Sequence, residues 1–469
     1  WTSGHLANGK WSRAADITLA FLGLGAAAWV AASYDTLVSG ALTGAPSALI
    51  VAGILFALVI EALRRVVGLT LVVVVVSICG YGLVGHLVEG SLQTREVAPA
   101  DLFVYLGFDP NGLLGLTLRI AATVVVAFVF FGQLLLKSGG AEFFNDAALA
   151  AMGRRRGGAA KISIVASSLF GSISGVVVSN IVATGVVTIR LMINAGFKRS
   201  TAAAIEAVSS TGGQIVPPVM GAVAFLMADI LQKPYAEIVF AAIIPAALYY
   251  VALYAQADLR AGRDDIKPLE GVEIPQLQSV FRKGWQFLLP FAVIVLALFV
   301  LNQRPEAAGL WGAIAVIIVG LIWGYNGRRA RLKAILDAAS ETGRQIVDIL
   351  MIAAAAGLII GVLSLTGLGF GLTFSLASLG EGNLLLLLSI AAIVCIILGM
   401  GMPTVGVYLL LAVLIAPSLV ESGVEPIAAH MFIFYLGMMS MVTPPVAIAA
   451  FFAASIAKSR PIPTAFEAM

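Results

Sequence analysis

Charge is scarce in this 469-residue sequence: Asp, Glu, Lys and Arg together supply 11% of it, against 60% hydrophobic residues. A soluble domain draws about a quarter of its residues from that charged set to cover its surface. The composition, with a mean hydropathy of +1.02, therefore excludes a soluble globular protein and makes lipid the natural solvent of most of the chain. No segment is large enough for a separate soluble domain. Cysteine is nearly absent as well. Cys79 and Cys395 are the two present, both within apolar runs, which supports neither a disulfide framework nor a thiolate metal site. A phosphate-binding loop carrying Lys-Ser or Lys-Thr is missing, so ATP could drive this chain only through a separate motor subunit. An ion gradient is the expected energy source. Also missing is a catalytic dyad or a His and carboxylate cluster at membrane depth, which argues against an intramembrane protease or lipid transferase. No enzymatic activity and no organic cofactor are expected. The net charge of +3 is small for the length, and no nucleic-acid partner is expected.

What the sequence has is apolar runs of about 17–25 residues, enough to cross roughly 30 Å of hydrocarbon. Full spans are expected over Ile17 to Tyr34, Ser47 to Ala62, Val66 to Val84, Ile120 to Leu136, Thr201 to Ala228, Ile238 to Ala255, Trp285 to Leu301, Gly309 to Tyr325, Ile346 to Thr366 and Ala428 to Ile456. Two further regions, Ile162 to Arg190 and Leu384 to Pro417, are each long enough for two half-membrane limbs and carry a small-residue interruption near the middle. They read as re-entrant hairpins. That reading puts Lys10 and Arg13, Arg64 and Arg65, Arg154 to Arg156, Lys198 and Arg199, Arg263 to Arg282, Arg328 to Lys333, and Lys458 on one side, the cytoplasmic one. Counting either hairpin as a single crossing would throw later basic loops onto the opposite face. Ala141 to Met152 and Leu332 to Ser340 have mixed faces at helical spacing and are expected to lie in the interface.

The first hairpin then opens to the cytoplasm and the second, flanked by Glu381, Glu421 and Glu425, to the outside. Such a pair is an inverted repeat. Each hairpin is followed by a long span broken at a proline pair: Ser209-Ser210-Thr211-Gly212-Gly213-Gln214-Ile215-Val216-Pro217-Pro218 in one half, Ser440-Met441-Val442-Thr443-Pro444-Pro445 in the other. A proline pair removes two main-chain donors, so carbonyls just upstream lose their helical partners. In hydrocarbon that is tolerable only where the break is packed in protein or lines a wet cavity. Freed carbonyls with Ser and Thr hydroxyls are hard oxygen ligands suited to Na⁺, and the half-helix beyond each pair aims its positive end at an anion. One isolated break is adequately explained as a kink. Two in corresponding positions, each preceded by a hairpin tip at Gly171-Ser172-Ile173-Ser174-Gly175 or Gly399-Met400-Gly401-Met402-Pro403-Thr404, point to a midplane site.

Among ionisable residues in apolar spans, Glu61, Arg119, Arg190, Asp229 and Asp348 lie near expected ends, where they snorkel. Glu206 stands just over one turn before the first break. It either relays a proton or holds a cation's charge, or it forms an interfacial ion pair with Arg190 or Lys198. His430, opening the final span, is read as an interfacial hydrogen-bonding residue.

These residues resemble a known family. Phe170-Gly171-Ser172-Ile173-Ser174-Gly175, followed by Glu206 to Gly221, is similar to the large-subunit signature of tripartite ATP-independent periplasmic (TRAP) transporters. The Gly-Gly-Gln break, Leu398 to Thr404 and Thr443-Pro444-Pro445-Val446-Ala447 resemble the branch whose binding proteins are called TAXI. The resemblance runs from about Trp11 to the end. It implies an all-α integral membrane protein of the inverted-repeat, ion-transporter-superfamily-like kind, with two re-entrant hairpins and two Pro-Pro-broken helices working as an elevator. It also implies a multi-pass permease in a bacterial or archaeal cytoplasmic membrane. A small organic acid would arrive on a periplasmic TAXI-type binding protein and enter with Na⁺ or H⁺. By motif, Ser172, Ser174, Asn180, Thr211, Gly212 and Gly213 would form one cation and substrate half-site, and Gly401, Thr404, Ser440 and Thr443 the other. Gln214 would meet substrate through its amide.

The implied organisation is the end of a small-subunit-like segment over 1–65, a first half of the transport subunit over 66–256, a cytoplasmic linker over 257–283 and a second half over 284–469. In this branch the small subunit is commonly fused ahead of the large one. The chain opens at Trp1 rather than Met and stops at Met469 soon after an apolar span, so further sequence is expected at both ends; the resemblance implies that it holds helices before Trp1 and a final span after Met469. The rival readings are a stand-alone divalent-anion symporter, which needs no binding protein, an intramembrane enzyme and a non-transporting scaffold.

Overall fold

In hydrocarbon no water satisfies main-chain N–H and C=O groups, so a spanning chain closes its hydrogen bonds within helices. The computed structural model describes residues 10–42, 45–66, 68–269, 273–327, 329–380, 383–400 and 402–469, and no strand forms among them. Arg328, Glu381 and Gly401 lie outside the described residues. In chain order come α1 (Lys10–Leu42), α2 (Pro46–Val66), α3 (Leu69–Val84), α4 (Pro99–Phe108), α5 (Leu116–Lys137) and α6 (Gly140–Met152). A helical pair follows, α7 (Gly158–Ser174) and α8 (Val177–Asn194), then the broken element α9 (Arg199–Gly212) and α10 (Ala222–Ile230). Next are α11 (Tyr235–Arg263), α12 (Leu277–Val300), α13 (Pro305–Ile322), α14 (Leu332–Thr366) and α15 (Leu368–Gly380). A second pair, α16 (Leu384–Gly399) and α17 (Thr404–Leu414), leads through α18 (Ala416–Glu421) to a second broken element, α19 (Pro426–Met439) and α20 (Ile448–Ala457), and to α21 (Pro461–Ala468).

Among the described residues, 8 helices are long and apolar enough to cross a bilayer. Large apolar side chains such as Phe21, Leu24, Phe240 and Leu248 stand exposed along them, as lipid-facing residues do.

The long spans Thr201 to Ala228 and Ala428 to Ile456 are each broken at the proline pair, as expected from the sequence. Three other expectations need adjustment. The third span is a 16-residue helix that begins only at Leu69, because Gly68 takes a positive φ of 102° and interrupts the run from Val66. The amphipathic stretch at Leu332 is no separate interfacial helix but the first turns of a continuous 35-residue α14, since nothing between it and Ile346 breaks the helix. The arms of the first pair run beyond the expected bounds, with 17 residues in α7 and 18 in α8. At 1.5 Å per residue each rises about 26 Å, so an arm that turns back at mid-membrane begins outside the hydrocarbon or crosses it obliquely.

The chain divides into two compact units that interleave along the sequence. The first comprises residues 1–122, 344–391 and 408–424; the second comprises 123–343, 392–407 and 425–469. In the first, α2 packs on α1 and α4, and close approach is bought by small residues: a Cβ at Gly107 would lie 2.8 Å from that of Ala52. Arg65 bridges Asp16 at 2.5 Å and Glu61 at 2.6 Å. Thr117 donates to the carbonyl of Ala353 at 3.0 Å, and the hydroxyls of Ser91 and Ser375 meet at 2.7 Å.

The second unit has an alanine-rich core. Ala202, Ala203 and Ala207 of α9 and Ala449, Ala450, Ala453 and Ala457 of α20 belong to one buried cluster. Lipid tails offer no hydrophobic drive for helix association, so membrane helices gain by van der Waals packing of small residues. The C-terminal α21 docks on the start of α9, where Glu467 accepts from Ser200 and Thr201, both at 2.6 Å, and from Arg260 at 2.8 Å. Lys161, near the start of α7, reaches Asp258 of α11 at 2.5 Å.

Candidate functional site

α7 stops at Ser174 because Gly175 takes a left-handed φ of 59°, and α8 restarts after an extended Val176. The tip rests on the loop beyond the first proline pair. A Cβ at Gly175 would lie 2.6 Å from the Met220 carbonyl oxygen, and the Ser172 carbonyl accepts from the amides of Val219 and Met220 at 3.3 and 3.2 Å. One turn earlier the main chains themselves touch: a Cβ on Gly171 would stand 2.5 Å from the α-carbon of Gly213, and one on Gly213 2.6 Å from that of Gly171. Gly212, by contrast, turns its α-carbon to the ring of Tyr249.

Asn180 sits beside this contact. Its amide nitrogen donates to the carbonyls of Ser167 at 2.9 Å and Ser210 at 3.4 Å. Both acceptors are carbonyls, so the nitrogen must face them and Oδ1 faces away. That Oδ1 is buried with no partner among the described residues, and so is Oγ of Ser174. Ser172 and Thr211 donate back to Leu169 and Ala207 of their own helices, at 2.8 and 2.7 Å. With the proton committed, each hydroxyl oxygen keeps lone pairs for another partner. The first half-site is thus a set of buried oxygens around a glycine contact. Gln214 is buried too, its amide nitrogen 3.5 Å from the Thr211 carbonyl.

The second half repeats the arrangement. Counting back four residues from the first proline of each pair gives Gly213 in one half and Ser440 in the other. A Cβ on Gly399 would lie 2.8 Å from that of Ser440, the counterpart of the contact between Gly171 and Gly213. One residue further on, Gln214 accepts from the Gly221 amide at 2.9 Å, and Met441 accepts from the Ala449 amide at 3.0 Å. Ser440 and Thr443 donate to Gly437 and Met439 at 2.6 and 2.8 Å. Thr404 is buried in the first turn of α17. Both proline pairs, Pro217-Pro218 and Pro444-Pro445, are cis. Beyond its break, α20 packs against α9 and α8.

Three tyrosines of α11 escaped the sequence reading. The carbonyls that lose their helical donors to the first proline pair, those of Gly213 and Gln214, accept instead from the amides of Val216 at 3.3 Å and Gly221 at 2.9 Å, while Tyr249 donates to the Val208 carbonyl at 2.8 Å and Tyr250 to that of Ser209 at 2.7 Å near the end of α9. Tyr235 does the same beyond the break, donating to Val219 at 2.5 Å and Pro218 at 3.1 Å. A hydroxyl pair inside an otherwise apolar span was the available signal.

Glu206 makes neither expected ion pair among the described residues. It is fully buried and accepts from five hydroxyls: Ser163 at 2.7 Å, Ser167 at 3.0 Å, Thr184 at 2.6 Å, Ser210 at 3.1 Å, and Thr188. These come from both arms of the first pair and from α9 itself. The carboxyl group therefore ties the three segments that frame the glycine contact. No cluster of three or more His, Cys, Asp or Glu that could hold a metal ion occurs among the described residues. The oxygens beside the glycine contact are those of carbonyls, an amide and hydroxyls, with the Glu206 carboxyl group among the hydroxyls of Ser167 and Ser210.

Residues 54–469 match the family described as the tripartite ATP-independent periplasmic transporter, DctM component. The chain belongs to that family. Among relatives of this DctM-family chain is the C4-dicarboxylate TRAP transporter large permease protein DctM of Pseudomonas aeruginosa, 24% identical over 74% of this chain and 82% of that one. Another is the ectoine/5-hydroxyectoine TRAP transporter large permease protein of Ruegeria pomeroyi, 23% identical over 80% of this chain and 86% of that one. The crystal structure of the Alcanivorax borkumensis YdaH transporter covers 84% of this chain and 95% of its own, with a TM-score of 0.55 at 16% identity; that likeness is one of fold. The DctM-family chain is accordingly a multi-pass transporter permease and not an enzyme.

Proposed function

We propose that this chain is the membrane permease of a secondary-active TRAP transporter. It takes a small organic acid from a periplasmic TAXI-type binding protein and moves it inward across a bacterial cytoplasmic membrane with Na⁺. The observation that carries the reading is the repeated contact, Gly171 on Gly213 and Gly399 on Ser440, with the unpartnered Ser174 hydroxyl and Asn180 amide oxygen beside the first. Buried polar oxygens without partners cost free energy in an apolar interior, and a small hard cation is the partner that suits them. Ser172, Ser174, Thr211, Gly212 and Gly213 would hold one Na⁺; Gly401, Thr404, Ser440 and Thr443 would hold a second. By motif Ser174, Asn180, Gln214, Thr404 and Thr443 would contact the acid, Asn180 through a shared Na⁺ on its free Oδ1, because its amide nitrogen is committed to the carbonyls of Ser167 and Ser210. The paired helices act as re-entrant hairpins, and the substrate-carrying part moves as an elevator while helices of a fused small subunit complete the scaffold. Glu206 serves here as a brace for the site. A proton relay through it is the competing role.

The test is uptake into proteoliposomes of the complete permease, with and without its cognate binding protein, under a Na⁺ gradient and then a pH gradient. Uptake that needs both the binding protein and Na⁺ is expected. Equal uptake without the partner would leave a stand-alone anion symporter, and uptake driven by pH alone would return Glu206 to the coupling role.

A further inference from the structure

Away from the glycine contacts, the second unit carries a cleft of about 440 Å³ between the start of α12 and the turn that follows α13. Arg282, Lys283, Trp285, Trp323 and Asn326 line it. Its wall is fixed. Buried Gln286 donates to the carbonyls of Lys283 at 2.8 Å and Gly324 at 2.9 Å, which pins the turn to α12. Tyr325 packs into the ring cluster of Phe143 and Phe287 and donates to Asp146 at 2.8 Å. The rim is open: Trp285 is 52% exposed and Trp323 50%. Arg282 and Lys283 are exposed and form no ion pair among the described residues, and the nearby carboxylate of Asp146 already accepts from Tyr325.

The first turns of α12 are amphipathic, with Leu277, Val280, Phe281 and Gly284 on one face and Arg282 and Lys283 off it. Such a segment lies at the membrane interface. Exposed tryptophans belong at that depth, and the basic-loop bias puts this end of α12 and α13 at the cytoplasmic leaflet, whose surface is negative. Toward the membrane interior Leu288, Leu289, Leu321 and Ile322 are all exposed.

We propose that this cleft binds the headgroup of an anionic phospholipid of the cytoplasmic leaflet. Arg282 and Lys283 take the phosphate, Trp285 and Trp323 flank the glycerol region, and the acyl chains lie along the exposed leucines and isoleucine below. The charge complementarity decides the occupant: two unpaired cations beside an apolar wall match a molecule that is anionic at one end and apolar at the other.

Native mass spectrometry of the complete, delipidated permease complex, titrated with phosphatidylglycerol or phosphatidylcholine, tests this. Phosphatidylglycerol should be retained preferentially. Each basic residue near a membrane surface is worth roughly fivefold in affinity for anionic lipid, so the Arg282→Gln/Lys283→Gln variant should lose the preference by roughly twenty-fivefold. The Arg331→Gln/Lys333→Gln variant, equally exposed but outside the cleft, should keep it. Equal retention of the two lipids by the unaltered complex, or equal loss in both variants, would overturn the site in favour of diffuse surface attraction. Inorganic phosphate is the remaining arm. Phosphate binding that depends on Arg282 and Lys283, without selection for phosphatidylglycerol, would make the cleft a soluble-anion site and overturn the lipid assignment. An unchanged melting temperature of both variants excludes misfolding as the cause.

Discussion

Where two α-carbons touch, as at Gly171 and Gly213, a single methyl group must displace main chain rather than rotate a side chain. Overpacking of this kind costs about 1–3 kcal/mol. Gly171→Ala and Gly213→Ala are each expected to lower the melting temperature of the purified permease and to abolish uptake while membrane insertion stays normal. In the second half the obstacle to a Cβ on Gly399 is the side chain of Ser440, so Gly399→Ala should regain thermal stability when combined with Ser440→Gly. No recovery in the double variant would mean that the two contacts are not equivalent. Glu206 gives a different expectation. Glu206→Ala leaves Ser163 without its acceptor and takes the carboxyl group from Ser167, Thr184, Thr188 and Ser210, which keep one another or the carbonyls of Asn180 and Thr184, and it should destabilise by about 1–3 kcal/mol. Glu206→Gln keeps the shape, and hydroxyls can turn to accept from its amide, so Na⁺-driven uptake should persist. Its complete loss with unaltered melting would argue for proton relay. At this scale the sequence exposed the glycines and hydroxyls of the motifs, because their spacing to the proline pairs is local. It could not reveal that Ser163, Ser167, Thr184, Thr188 and Ser210 converge on one carboxyl group. A lone Ser or Thr in a helix ordinarily bonds its own preceding turn, and only tertiary packing tells the two cases apart.

Between elements, the junction of α21 with α9 is one that responds to pH. Burial raises the affinity of Glu467 for a proton, but hydrogen bonds from Ser200 and Thr201 and the charge of Arg260 outweigh it, leaving the carboxyl below its usual range. A carboxyl whose folded pKa lies below the unfolded value of about 4.3 contributes stability above that value and loses it as pH falls through the folded one. Glu467→Gln should therefore melt below the unaltered protein at pH 7, and the gap should close as pH drops under about 4.3. A gap that stays constant with pH would assign the junction to packing alone. The element boundaries show where local reasoning stops. The breaks at both proline pairs were legible because proline removes donors wherever it stands. The continuity of α14 was not, since a polar first turn followed by an apolar run reads equally as one helix or two.

The division of the whole chain into two interleaved units was the least legible feature, because it depends on which helices pack together and not on their order. It carries a test of its own. Ser91 and Ser375 lie far apart in sequence, meet at 2.7 Å and belong to the same unit. Cysteines at both positions, with Cys79 and Cys395 replaced by Ala, should cross-link on oxidation and leave the initial rate of uptake unchanged. Uptake lost on oxidation and restored by a reductant would show that this unit changes shape during transport.

The contact between Gly171 and Gly213 has one more consequence. Its gauge is set by peptide geometry, which no exchange of neighbouring side chains can retune. Relatives of this permease are named for cargoes as unlike as C4-dicarboxylates and ectoine. A gap ruled by the main chain lets the surrounding pocket diverge toward new cargo while the spacing of the proposed ion ligands stays put, so under the Na⁺-coupled reading such a permease can change what it carries without having to reinvent what drives it.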